Sequence, residues 1–78
     1  MNGRQEALLK ANLDLVLEVA LTCKGRGVPL IDLIQEGNLG LIEAAGEWSR
    51  ADERDFRSLA EERIRQAVSR LLEDKDGA

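Results

Sequence analysis

From Asp32 to Ala44 the chain reads DLIQEGNLGLIEA, and no other stretch restricts the fold so strongly. Leu33, Ile34, Leu41, Ile42 and Ala44 recur at steps that fit a helix and not the strict alternation of a strand. The pattern continues through Gly37 and Gly40, although each glycine costs a helix about 1 kcal/mol relative to alanine. Asn38 sits among the apolar positions. From Val28 to Ser49 every ionised side chain is acidic: Asp32, Glu36, Glu43 and Glu47. Solvated helices usually mix their signs, so a single-sign face suggests a partner of opposite charge.

Two other helical patterns flank this one. Asn2 and Gln5 have capping-box spacing, which starts a first helix near Gly3. Its seam is Leu9, Leu13, Val16, Ala20 and Cys23. Leu8, Leu15, Leu17, Val19 and Leu21 widen the stripe, so this helix is expected to be touched on several sides. Gly25 suits a left-handed C-cap, and Pro29 suits the opening of the next helix. That second helix has the apolar set Leu30, Ile31, Leu33, Ile34, Leu41, Ile42, Ala44, Ala45 and Trp48. Residues 49–55 read as a charged loop. The third helix follows, capped by Ser58 with Glu61 or by Asp55. Phe56, Ala60, Ile64, Ala67 and Leu71 make its core stripe, with Leu59, Val68 and Leu72 beside it. Arg57, Glu61 and Arg65 line up at four-residue steps on the other side. The polar tail 73–78 is expected to fray. The fold predicted is all-α: one compact three-helix domain over 1–78, with helices at about 3–24, 29–48 and 56–73.

Composition narrows the function. Seventy-eight residues make one domain. The net charge of -4 counts against a stand-alone nucleic-acid binder, whose affinity rests on phosphate contacts. With one cysteine and no histidine, neither an internal disulfide nor a structural zinc site can form. The lone Cys23 reads as core packing in a reducing compartment. There is no histidine or tyrosine for acid–base work and no phosphate-binding glycine loop, so an enzyme is not expected, nor a cofactor or metal. No apolar run approaches the roughly 20 residues that span a bilayer, and the N-terminus lacks a signal-peptide core. A cytoplasmic protein without membrane contact is expected.

Three blocks carry a resemblance. They are Ala11 to Val16 (ANLDLV), Arg26 to Leu41 (RGVPLIDLIQEGNLGL) and Ile64 to Val68 (IRQAV). In sequence and mutual spacing they resemble region 2 of bacterial sigma-70-type sigma factors. That family's pattern is approximately NLRLV, then DLIQEGNIGL, then F-S-T-Y-A-x-W-W-I-R-Q-A-I. The resemblance spans about Leu8 to Leu72. It implies that the second helix docks on the paired clamp helices of the RNA polymerase β′ subunit. The residues implied are Asp32, Gln35, Glu36, Asn38, Leu39 and Glu43, with Glu47 adding to the acidic charge. Leu39 supplies an apolar anchor if exposed, and Gly37 and Gly40 allow close approach to the partner or to the first helix.

The resemblance also implies a third helix that opens promoter DNA by stacking aromatics on unpaired bases of the −10 element. Here the chain departs from the pattern. The family's tyrosine falls on Leu59, and its two tryptophans fall on Glu62 and Arg63. Its lysine before Phe56 falls on Asp55, and the preceding basic and glycine positions fall on Asp52, Glu53 and Arg54. The arginine of NLRLV falls on Asp14. A base–aromatic stack contributes roughly 1–3 kcal/mol, so three missing platforms leave little energy to pull a base from a duplex. Arg65, Gln66, Ser69 and Arg70 remain on the side that faces DNA in the family. They read equally as a solvated helix face.

The reading that follows is a sigma-like protein that docks on polymerase but has lost promoter opening. Three alternatives stand beside it. One is region 2 of a functional, divergent sigma factor that recognises the −10 element. Another is a sigma mimic that binds an anti-sigma factor, and the last is a helical interaction domain outside transcription. No second DNA-binding domain for a −35 element is expected within this length, and the oligomeric state stays open.

Overall fold

The computed structural model describes residues 2–49 and 55–77. It is built of α1 (Gly3–Ala11), α2 (Leu13–Thr22), α3 (Leu30–Glu47) and α4 (Phe56–Gly77), and no strand occurs among the described residues. The all-α class holds, but the helix expected over 3–24 is two helices. Asn12 divides them. Its side-chain Nδ2 donates to the Leu8 carbonyl at 2.8 Å, taking the acceptor its own backbone N–H would use in a continuous helix. That N–H turns to Leu9 instead, at 3.2 Å. This competition between side chain and backbone is why asparagine breaks helices. The Oδ1 of Asn12 accepts from Arg57 of α4 at 3.0 Å, so the junction is buried and anchored.

The Asn2–Gln5 box forms at the start of α1, with both reciprocal hydrogen bonds present. Between α2 and α3 both Gly25 and Gly27 have positive φ, which glycine adopts without steric cost. At α4 the cap is Asp55, whose Oδ1 accepts the Ser58 N–H at 2.7 Å. The expected loop over 49–55 lies mostly outside the described residues, as do Asp52, Glu53 and Arg54. The helix of the tail runs further than about 73, to Gly77.

One core unites α2, α3 and α4, and Leu8 and Leu9 of α1 pack against it. Leu15, Val16, Val19 and Ala20 come from α2, and Leu33, Leu41, Ala44 and Ala45 from α3. Phe56, Leu59, Ala60, Ile64, Val68 and Leu72 come from α4. Cys23 packs at its edge. The largest interface is α3 against α4. Gly40 makes it possible, because a Cβ there would lie 2.5 Å from the Arg63 carbonyl oxygen. Gly37 faces Val16 of α2 in the same way, so both glycines serve approach within the domain. α2 touches the other three helices, as expected of the first pattern. Leu13, Leu17 and Leu21 nevertheless stay exposed along its outer side, contrary to their place in the expected stripe.

Candidate functional site

The inward residues of α3 are Leu33, Gly37, Gly40, Leu41, Ala44 and Ala45. Helical phase then places Ile31, Gln35, Asn38, Leu39 and Ile42 on the outer side, with Asp32, Glu36 and Glu43 along the flank towards α4. Burial agrees. Asp32, Gln35, Leu39 and Glu43 are exposed, while Glu36 and Asn38 are half-buried. Six residues singled out in the sequence therefore share one continuous face. Among the described residues, none of the side chains of Asp32, Gln35, Glu36, Asn38 and Glu43 has a hydrogen bond or ion pair. Glu47 is different: it turns to α4 and is engaged there.

Sequence reasoning missed two members of this face. Ile31 and Ile42 were grouped with the apolar set of the helix, yet they are 59% and 43% exposed, close to the 53% of Leu39. The signal was present in their phase. They lie eleven residues apart, in line with Gln35 and away from Leu33, Gly37 and Leu41. Three large apolar side chains beside three carboxylates make an amphipathic surface patch.

The outer face of α4 is arranged otherwise. Arg57 donates to Asn12 at 3.0 Å and to Asp14 at 2.9 Å. The hydrogen bond from Arg57 holds the Asp14 carboxyl below its ordinary pKa, and Asp14 in turn raises Arg57. Arg63 donates from Nε and Nη2 to Glu47 at 3.1 and 2.9 Å, and from Nη1 to Glu62 at 3.2 Å and Gln66 at 3.4 Å. Every nitrogen of that guanidinium is thus occupied. Arg65 donates twice to Glu61, one turn earlier. Arg65, Gln66, Ser69 and Arg70 do come together, lining a shallow depression with Glu73. Arg26 from the α2–α3 connection lines a neighbouring hollow with Ser69, Leu72 and Glu73.

Leu59, at the family's tyrosine position, is 1% exposed and belongs to the core. The two aromatics of the chain are engaged with each other. Trp48 and Phe56 stack edge to face at 5.9 Å and 78°. Arg4 of α1 lies 5.1 Å over the Trp48 ring and donates to the Trp48 carbonyl, while Gln5 donates to the Ala45 carbonyl. α1 thereby braces the end of α3. No helix among the described residues is long and apolar enough to cross a membrane.

A family model described as sigma-70 region 2 matches residues 8–77. The chain is similar to the RNA polymerase sigma factor SigA of a Bacillus species, with 44% identity over 96% of this chain and 21% of that protein. It is also similar to the SigA proteins of Lactococcus lactis subsp. cremoris and subsp. lactis, each 39% identical over 91% of this chain, which is 20% and 18% of their lengths. The chain therefore spans about a fifth of these relatives.

Proposed function

The chain belongs to the sigma-70 region 2 family, and from that premise we propose that it docks on the core of RNA polymerase through the outer face of α3. The partner surface is the paired clamp helices of the β′ subunit. Ile31, Leu39 and Ile42 provide the apolar contact. Asp32, Glu36 and Glu43 meet basic side chains, and Gln35 and Asn38 complete the polar rim. The protein acts in transcription initiation as a sigma-like accessory or competitor, in the cytoplasm with the polymerase. Promoter opening is lost, because α4 offers no exposed aromatic at Leu59, Glu62 or Arg63. One observation carries this reading. Asp32, Glu36 and Glu43 of α3 are of one sign and form no ion pair among the described residues, whereas Arg57, Arg63 and Arg65 of α4 are each engaged by carboxylates of the same chain.

The test is a titration of the protein against an isolated β′ clamp coiled coil. Wild type is expected to bind, and Gln35→Ala and Glu36→Lys to bind less. A wild type that does not bind removes the docking reading. The depression formed by Arg65, Gln66, Ser69 and Arg70 favours a second reading, in which α4 still contacts promoter DNA. Single-stranded −10 sequence separates the two. Negligible binding at moderate salt is expected, and sequence-dependent binding at micromolar strength or tighter restores a functional −10 reader.

A further inference from the structure

The cluster of Glu47, Glu62 and Arg63 does more than replace two aromatics. We propose that it is an ionic latch, in which two carboxylates of the chain occupy an arginine that otherwise binds nucleic-acid phosphate. The inference rests on the reading of α4 as a former DNA face and names the groups that now reject DNA. Arg63 sits about a third of the way along α4, two residues before Arg65, the first residue of the depression at Arg65 to Arg70. Its side chain is only 22% exposed, and its partners come from two helices. Glu47 closes from the C-terminal end of α3, and Glu62 from the same turn of α4.

Three facts separate this cluster from ordinary surface pairing. Exposed pairs usually engage one edge of an arginine and contribute little. Here Nε, Nη1 and Nη2 all donate, to Glu47, Glu62 and Gln66, so every nitrogen of the guanidinium is engaged. The pair with Glu47 also ties α4 to α3 across sixteen residues of sequence, so it is held by the fold rather than by one flexible turn. Finally, Glu47 and Glu62 bring to the guanidinium the same sign of charge that a phosphate would bring. The chain thus carries its own anionic occupants at the α3 edge of this face. A phosphate backbone must displace two carboxylates that remain nearby as like charges.

The experiment uses the whole chain and a labelled single-stranded oligonucleotide, read by fluorescence anisotropy at low salt. The Glu47→Gln/Glu62→Gln double variant is expected to bind at least about tenfold more tightly than wild type. Adding Arg63→Ala is expected to abolish that gain. The salt slope of the double variant should steepen by about 0.7, the value of one further contact to a single strand. A double variant that binds no better than wild type overturns the latch. A gain that survives Arg63→Ala also overturns it, since it then reflects net charge alone. The second measurement needs no DNA: hydrogen exchange of the Arg63 side-chain Nε–H is expected to be slower in wild type than in Glu47→Gln. Equal rates sink the proposal. Binding to the clamp coiled coil is scored separately, so failure of docking leaves this result intact.

Discussion

The outer faces of α3 and α4 lie on helices packed against each other, and both are rich in charge. They differ in what those charges do. On α3, Asp32, Glu36 and Glu43 form no ion pair among the described residues and flank exposed Ile31, Leu39 and Ile42. On α4, Arg57, Arg63 and Arg65 are held by Asp14, Glu47 and Glu61. The number of ionised groups therefore says little about binding. A face recruits a partner when its charges are unanswered and apolar surface lies beside them. It is quiet when the chain answers its own charges. In one small domain the first condition holds on one helix and the second on its neighbour.

The comparison breaks most sharply at the acidic line of α3. Asp32→Lys with Glu36→Lys is expected to weaken binding to the clamp coiled coil by about a hundredfold, or about 2.7 kcal/mol. The same double change should leave thermal stability nearly unaltered, because both groups lie outside the core. An equal loss from reversing Glu61 and Glu62 on α4 would erase the distinction between the faces. Next in size is the seam between the helices. Gly40→Ala is expected to cost about 1–3 kcal/mol in chemical denaturation, since the new methyl meets backbone that cannot move alone. Gly37→Ala should cost less, because the nearest atoms belong to the Val16 and Ile64 side chains. Smaller again is the apolar contact. Leu39→Ala is expected to lower clamp binding about tenfold without destabilising the fold.

Acid tests the anchoring of α4. The carboxyls of Asp14 and Asp55 are held below their ordinary value near 3.8, Asp14 by the Arg57 hydrogen bond and Asp55 by hydrogen bonds from Ser58. A depressed carboxyl contributes stability above its unfolded pKa and loses it as pH falls through the folded one. The melting temperature is therefore expected to drop as pH falls from about 5 to about 3, and Asp14→Asn should flatten part of that slope. The smallest effect belongs to Glu61→Gln. Breaking its exposed pair with Arg65 should change stability by only about 0.3–0.5 kcal/mol.

Periodicity made the helical class and most of the core legible, including Phe56, Leu59, Ile64 and Val68, because burial repeats with the helix. It did not reveal the break at Asn12, where a side chain takes a backbone acceptor; no spacing rule detects that competition. It over-counted the core at Leu13, Leu17, Ile31 and Ile42, since an apolar residue on an outer face looks the same as one inside. The acidic face of α3 was visible as a run of one sign. The answering of charges on α4 was visible only in part. Glu61 and Arg65 are a turn apart and pair as their spacing suggests, but Asp14 meets Arg57 and Glu47 meets Arg63 only after the chain has folded.

Gly40 has a consequence for how force crosses the molecule. The Arg63 carbonyl fills the space a side chain would take, so α3 and α4 fit as a key fits its slot. Sliding α3 by one turn in either direction would bring Glu36 or Ala44 to that slot, and both carry a Cβ. The two helices can therefore move only as a unit. Whatever grips the outer side of α3 also sets the position and bearing of α4, and with it the place of Arg63.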